Sequence, residues 1–288
     1  MLATSLLLLL VAAALHAITN VLIKNAKDKL AFGWWMFGFF IAAGIPLLFF
    51  VHQTNSIGWL FVIASGLLEA IYFFTLSKAY TLGDLSVVYP VARGSAPLFV
   101  LLWAALFLHE RPSKWGLIGI ALVVTGLYLI HLPSLKEWKK PLAGFRTEAV
   151  RWALYTGILI SGYTAIDKRG VNYFSPWVYL YLILSVCWLA LSLQWIIPTR
   201  RAALIAEIGF DKRMIRIVAA AILGTAGYAT VLAAMKLSPV SYVSPVREIS
   251  VVMGTWIGIR FLGERGGNLR VAAACLVAAG VLLIAFGG

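Results

Sequence analysis

Long apolar runs separated by short polar connectors dominate the hydrophobic pattern of this chain. A helix needs about 20 residues to cross the hydrocarbon of a bilayer, and runs of this length recur throughout the sequence. They lie near 2–24, 31–51, 57–79, 86–108, 113–132, 149–170, 175–197, 214–236, 240–262 and 268–287. Because the runs are continuous and do not alternate, they favour helices over a β-barrel. The pattern predicts an all-α integral membrane protein with ten transmembrane helices.

The composition agrees with a membrane location. Of the 288 residues, 62% are hydrophobic and only 12% are charged, which is too apolar for a water-soluble core. The two cysteines, Cys187 and Cys275, lie inside apolar runs, so we interpret them as core residues and expect no disulfide framework. The first run lacks the basic start of a secretory signal, and we expect it to remain as a helix.

The second half of the sequence repeats the first. Residues 79–93 (AYTLGDLSVVYPVAR) correspond to residues 234–247 (AMKLSPVSYVSPVR), and each passage is followed by an apolar run and a Glu-Arg pair. An offset of 154 residues superposes Arg93 on Arg247, Glu110 on Glu264 and Gly126 on Gly280. We therefore predict a five-helix repeat over 1–132, a linker over 133–148 and a second repeat over 149–288.

Charge asymmetry indicates the orientation. The net charge is +13, and the connectors after odd-numbered spans carry most of the Lys and Arg residues. We interpret these positive charges as signals that orient the spans and as contacts with anionic lipid headgroups, and not as a nucleic-acid-binding surface. Their distribution predicts a protein of the cell inner membrane with both termini non-cytoplasmic. Because each half has an odd number of spans, the two repeats are expected to be inverted around a central cavity, an arrangement that supports alternating access.

Two copies of a five-helix unit, each ending in Leu-x-Glu-Arg before a helix with a glycine, resemble the EamA-type family of the drug/metabolite transporter superfamily. The Glu-Arg pairs are Glu110-Arg111 and Glu264-Arg265. The first helix, with His16, Asn20 and Lys24, also resembles the opening helix of that family, although His16 stands where a Trp is common. The resemblance implies a solute transporter. We expect no cofactor, and either a monomer or a homodimer. The resemblance does not choose the cargo.

Ionisable residues inside apolar spans are the strongest candidates for function, because charge is costly in a bilayer. Arg93 and Arg247 lie at equivalent positions of spans 4 and 9, and Pro90 and Pro245 just before them can kink each helix. A guanidinium fork matches carboxylate, phosphate or phosphonate groups. We interpret the arginines as a clamp for an anionic or zwitterionic metabolite.

The alternative to this clamp is internal neutralisation. Arg93 could pair with Glu69, and Arg247 could pair with the adjacent Glu248 or with Asp167. Glu69 lies near the centre of the third span, where desolvation favours the protonated form. We therefore consider Glu69 a candidate proton-coupling group, with a permanent ionised partner of Arg93 as the alternative.

Further candidates are polar side chains on neighbouring spans. Because adjacent helical positions point about 100° apart, we expect only one of Arg247 and Glu248 to meet the substrate. The predicted substrate-binding residues are Arg93, Arg247, Glu248, Tyr89, Asn20, His16 and Tyr228. The predicted structural or hinge residues are Pro90, Pro245, Glu110 and Glu264, the two glutamates through helix caps and salt bridges.

Three function classes remain open. A secondary transporter explains the duplication, the intramembrane charges and the prolines together. A flippase for a lipid or a phosphate-bearing headgroup, or an exporter of amino acids or drugs, is the alternative on the same scaffold. We do not expect an enzyme, because no metal motif, activated nucleophile or phosphate-binding loop is present in the sequence.

Overall fold

The computed structural model describes residues 1, 3–24, 26–51, 55–83, 85–130, 132, 134–139, 147–209, 212–253, 256 and 268–287. All regular secondary structure in these ranges is helical. The helices are α1 Ala3–Lys24, α2 Lys29–Gly44, α3 Ser56–Leu82, α4 Leu85–Phe107, α5 Lys114–Leu129, α6 Glu148–Gly170, α7 Pro176–Leu191, α8 Pro198–Glu207, α9 Lys212–Leu237, α10 Val240–Arg247 and α11 Asn268–Gly287. Helices α2 and α7 continue as 3-10 turns over Ile45–Phe50 and Ser192–Ile196.

Polar caps begin several of these helices. The Asp28 side chain accepts a hydrogen bond from the Ala31 N–H at the start of α2, and Asn55 accepts from Ile57 at the start of α3. Ser113 and Thr147 cap α5 and α6 in the same way. Each cap satisfies one of the N–H groups that a first helical turn leaves unpaired.

Six helices in the described ranges are long and apolar enough to cross a bilayer. They are Ala3–Ile23, Lys29–Phe50, Ser56–Leu82, Pro176–Ile196, Lys212–Leu237 and Asn268–Gly287. Two shorter apolar helices cover Val91–Phe107 and Lys114–Leu129. The chain is therefore a multi-pass membrane protein.

One connector contains a further helix, and one predicted span is interrupted. The connector expected between the seventh and eighth spans contains α8, which packs beside the α1–α2 turn: Arg200 Nη1 donates to Asp28 Oδ2 at 2.6 Å, and Trp35 Nε1 donates to the Leu204 carbonyl at 2.8 Å. The ninth span is not one continuous helix. Helix α10 ends at Arg247, Glu248 forms a turn, and helical residues resume at 249–253.

The main helix contacts relate one half of the chain to the other. Helix α3 packs along α6, and α9 packs along α1. These two interfaces are equivalent if the repeats are exchanged, because α3 corresponds to α9 and α6 corresponds to α1. Helix α3 also contacts α7 and α9 contacts α2, which is a second equivalent pair.

Helices α5 and α11 pack most closely, through glycines at repeat-equivalent positions. A Cβ atom added to Gly126 would lie 2.8 Å from the Ala273 carbonyl oxygen, and one added to Gly280 would lie 2.6 Å from that of Gly119. Residue numbers rise along one helix as they fall along the other, so the two helices are antiparallel. Small residues let the backbones approach, as is common between membrane helices.

Candidate functional site

Two arginines share one carboxylate where α4 meets α10. Arg93 Nη1 lies 3.3 Å from Glu248 Oε1, and Arg247 Nε lies 3.7 Å from the same oxygen. The side chains of Arg247 and Glu248 are 6% and 1% exposed, while that of Arg93 is 22% exposed. Arg93 and Arg247, which occupy equivalent positions in the two repeats, therefore both lie beside the carboxylate of Glu248.

The turn at Glu248 explains how both neighbours reach this point. Pro245 lies inside α10, and the Glu248 N–H bonds to the Pro245 carbonyl at 3.1 Å in place of a regular helical bond. The expected separation of about 100° between Arg247 and Glu248 requires a continuous helix. The helix is interrupted at Glu248, and the Glu248 carboxylate lies near both arginines. That only one of Arg247 and Glu248 meets the substrate stays a prediction.

Arg247 retains donors that nothing in the described chain uses. Its Nε and Nη2 atoms are buried and have no hydrogen-bond partner among the described residues, and neither has Glu248 Oε2. Gly94 follows Arg93 and is buried, yet apart from its neighbours along α4 no heavy atom of the described residues lies within 4 Å of the place its Cβ would take. Buried donors that lack a hydrogen-bond acceptor are a feature of a site that accepts a polar ligand.

Helix α1 contributes to the surroundings of the arginines. The His16 ring packs on α9, 3.2 Å from the position of a Cβ on Gly227, and it interacts electrostatically with Arg247 and Arg93. Asn20, one turn further along α1, is exposed. The structure thus brings His16 to the arginine pair and places Asn20 on an accessible surface.

Tyr228 does not point its hydroxyl at the arginines. It donates to Asp167 Oδ2 at 2.5 Å, and Asp167 Oδ1 accepts from Ser65 Oγ at 2.5 Å and from the Tyr179 hydroxyl at 2.9 Å. Asp167 is fully buried. From the sequence, Asp167 was a candidate only as a partner for Arg247, and Ser65 and Tyr179 carry no distinctive signal that would have revealed them.

Glu69 lies on α3 and is 6% exposed. It interacts electrostatically with Asp167 and Arg247, and its Oε2 atom has no hydrogen-bond partner within the described ranges. The carboxylate that pairs with Arg93 is Glu248, so the alternative pairing of Arg93 with Glu69 is not the one observed. Glu69 is thus a buried carboxyl group close to the arginine site.

Glu110 caps a helix of the other half. Its carboxylate accepts hydrogen bonds from the Val240 N–H at 2.8 Å, the Ser241 N–H at 3.0 Å and Ser241 Oγ at 2.7 Å. The Ser113 N–H donates to the Tyr242 hydroxyl at 2.8 Å nearby. The start of α10 is therefore held by the α4–α5 connector.

Some sequence candidates cannot be located in this way. Tyr89 and Pro90 belong to α4, but their side chains lie outside the described part of the structure, and Glu264 lies outside the described residues altogether. In the ranges that the structure describes, no group of three or more His, Cys, Asp or Glu side chains is arranged to hold a metal ion.

Comparison with known proteins decides the family. The model of the EamA-like transporter family matches residues 3–132 and again residues 147–286. The chain belongs to the EamA-like transporter family. It is a membrane transporter of small solutes, and the resemblance drawn from the sequence is confirmed. No curated protein matches the sequence.

A solved structure shares the fold. Its title reads only "Crystal structure of protein", and it superposes with a TM-score of 0.71 at 15% sequence identity, covering 98% of this chain and 96% of the other. At this identity the likeness concerns the fold alone. The EamA-like assignment and the arginine site therefore carry the functional interpretation.

Proposed function

We propose that this EamA-like protein is a secondary active transporter for a small anionic or zwitterionic metabolite that bears a carboxylate, phosphate or phosphonate group. The observation that carries the proposal is that Nε and Nη2 of Arg247 are buried and form no hydrogen bond with the described residues, beside the carboxylate that Arg247 shares with Arg93. A buried donor without a hydrogen-bond acceptor is costly, and a ligand oxyanion would supply the missing acceptors. Tyr89, Asn20 and His16 are proposed to complete the substrate site.

Alternating access follows from the architecture that we propose, which is ten spans in two inverted five-helix repeats around a central cavity. The antiparallel packing of α5 on α11 and the exchangeable interfaces of α3 with α6 and of α9 with α1 support it. In such an arrangement, exchange of the two repeat conformations moves the opening from one side of the membrane to the other. Pro90 and Pro245 are the proposed hinges. Charge asymmetry supports an inner-membrane protein with both termini non-cytoplasmic.

Glu69 is the proposed proton-coupling group. With Glu69, Asp167 and Glu248 all ionised, the buried acids outnumber Arg93 and Arg247 by one, which disfavours an anionic cargo. A proton on Glu69 balances the charges, and Glu69 Oε2 has no donor among the described residues that would oppose protonation. Proton and anion therefore favour each other's binding.

The test uses the purified protein and measures its thermal unfolding with inorganic phosphate, methylphosphonate, acetate, glycine and tetraethylammonium. A ligand that binds only the folded state stabilises it by about 2.7 kcal/mol at a hundredfold excess over its Kd. We expect an anion or zwitterion to raise the unfolding temperature. Stabilisation by tetraethylammonium alone would contradict the proposal.

The stabilising compound is then offered to liposomes that contain the protein and have an inward pH gradient. We expect the compound to accumulate. The Glu69→Gln variant should equilibrate the compound without accumulating it, whereas Glu148→Gln, at the exposed start of α6, should behave as the wild type. Accumulation by Glu69→Gln would show that Glu69 is not the coupling group.

A further inference from the structure

Asp167 is a buried ionisable group with an unusual set of partners. Three hydroxyl groups surround its carboxylate: Ser65 from α3, Tyr179 from α7 and Tyr228 from α9. Within the described part of the chain, no cation forms an ion pair with it. One carboxylate on α6 thus holds three other helices, two from its own repeat and one from the other.

The bonding pattern fits the ionised form. A carboxylate accepts hydrogen bonds only, and here it accepts three. A proton on Oδ2 would turn that oxygen into a donor, so the Tyr228 hydroxyl, which now donates to Oδ2 at 2.5 Å, would have to rotate or withdraw. Protonation of Asp167 therefore removes or reverses the bond that joins α6 to α9.

The neighbouring charges make two protonation states accessible. Glu69 on α3 and Arg247 on α10 both interact electrostatically with Asp167, with opposite effects on its charge. Ionisation is favoured by the three hydroxyl donors and opposed by complete burial. When two neighbouring carboxyl groups lie in such different surroundings, one is protonated more readily than the other. One oxygen of Glu69 lacks a hydrogen-bond donor in the described chain, whereas Asp167 has three. We therefore expect Glu69 to take up the first proton and Asp167 to keep its charge longer.

We propose that Asp167 is a second proton-binding site of this transporter and that its protonation removes or reverses the Tyr228 hydrogen bond between α6 and α9. This inference rests on the proposed function, because a proton-coupled transporter needs a link between proton binding and helix movement. The proton comes from a hydronium ion of the bulk water: one of its O–H bonds breaks as an O–H bond forms on the carboxyl group, and a water molecule is released. Once Glu69 and Asp167 are both protonated, Glu248 alone opposes Arg93 and Arg247, which leaves one positive charge to receive an anion.

The test is an infrared pH titration of the full-length protein in lipid nanodiscs, without any cargo. Protonated buried carboxyl groups have a carbonyl stretch that carboxylates lack. Between about pH 4 and pH 9, the range of ordinary and desolvated carboxyl groups, we expect Glu69→Gln and Asp167→Asn each to remove a different part of the wild-type change. An Asp167→Asn titration that superposes on the wild type would overturn the proposal.

Single hydroxyl deletions give a second readout if Asp167→Asn does not fold. Tyr228→Phe and Ser65→Ala each remove one donor to the charged form, and a hydrogen bond to a charged group contributes about 1.5–3 kcal/mol. Asp167 should then take up its proton about one to two pH units higher. Tyr155→Phe is the control, because Tyr155 lies on the same helix and is exposed.

Unchanged titrations in both hydroxyl variants would overturn the proposal. If these hydroxyls served packing alone, Tyr228→Phe and Ser65→Ala would change the unfolding temperature without shifting the titration. Because the titration contains no cargo, its failure leaves the anion-binding test standing. Conversely, failure of the anion panel leaves a proton site at Asp167 intact.

Discussion

Trp34 of α2 stacks on Trp188 of α7, with ring centroids 5.2 Å apart and planes inclined by 25°. The two residues are separated by 154 positions, the same offset that superposes Arg93 on Arg247. Trp34 Nε1 donates to Ser192 Oγ, and Trp188 lies against Gly38, the residue 154 positions before Ser192. The pair therefore marks a second interface where equivalent residues of the two repeats meet each other.

The glycine contacts between α5 and α11 should be sensitive to a single methyl group. In Gly280→Ala the new Cβ would lie 2.6 Å from the Gly119 carbonyl oxygen, and the helices would have to separate. We expect a loss of about 1–3 kcal/mol of stability, as for other overpacked sites. Thermal unfolding in detergent measures it.

Gly33→Ala is the matched control, because the nearest atom to its new methyl group would be Phe73 Cε1 at 3.9 Å. Gly126→Ala, which meets the Ala273 carbonyl oxygen at 2.8 Å, should reproduce the effect of Gly280→Ala. Equal stability of all three variants would show that the close approach of α5 and α11 is unimportant.

The Glu110 carboxylate should contribute to stability through α10. Glu110→Ala removes the acceptor of three hydrogen bonds from Val240 and Ser241. The loss of a helix cap costs about 0.5–2 kcal/mol, and the unpaired N–H groups add to it. We expect Glu110→Gln, which keeps one acceptor oxygen, to lie between Glu110→Ala and the wild type in thermal unfolding.

Glu148→Gln serves again as the control, since Glu148 is exposed and, among the described residues, accepts a hydrogen bond from Trp152. If Glu110→Ala unfolds at the same temperature as Glu148→Gln, the cap on α10 makes no net contribution.

Asp28, in the α1–α2 turn, should make stability depend on pH. Burial opposes its ionisation, but hydrogen bonds from Arg200 and from the Ala31 N–H outweigh this and hold the pKa of Asp28 below its ordinary value of 3.8. Because the folded-state pKa is the lower one, the stabilisation is present above about pH 3.8 and is lost as the pH falls through the folded-state pKa.

The Asp28→Asn variant keeps a good capping residue and loses the ion pair with Arg200. The two side chains are 28% and 26% exposed, so screening by water limits the expected loss at neutral pH to about 0.2–1 kcal/mol. Asp28→Ala should lose about 1 kcal/mol more through the missing cap. Unfolding measured at neutral and acidic pH checks this: a wild-type advantage over Asp28→Asn that persists in acid would contradict it.

Hydropathy and duplication predicted much of the fold, since the length of each apolar run reflects the thickness of hydrocarbon. They missed α8 because Pro198–Glu207 is short and mixed in polarity. They also missed the end of α10 at Arg247, because a proline allows a break without fixing where it falls.

The charged residues of the candidate site were predictable from the sequence, but their partners were not. A charge inside an apolar run is visible in the sequence, and Arg93, Arg247, Glu248 and Glu69 stood out. The identity of each partner depends on how helices pack. Glu110 therefore reaches α10 in the other half, and Tyr228 turns to Asp167 instead of the arginines, with no local pattern to announce either contact.

The most direct test of the central claim is the binding of methylphosphonate and inorganic phosphate to Arg247→Gln, followed by thermal unfolding. Loss of a guanidinium that donates to an anion should weaken binding about tenfold to a hundredfold. Arg169→Gln is the control, because Arg169 is exposed and donates to the Phe107 carbonyl. We predict stabilisation of the wild type and Arg169→Gln, and its loss in Arg247→Gln. Equal stabilisation of all three proteins would contradict an anion site at Arg247.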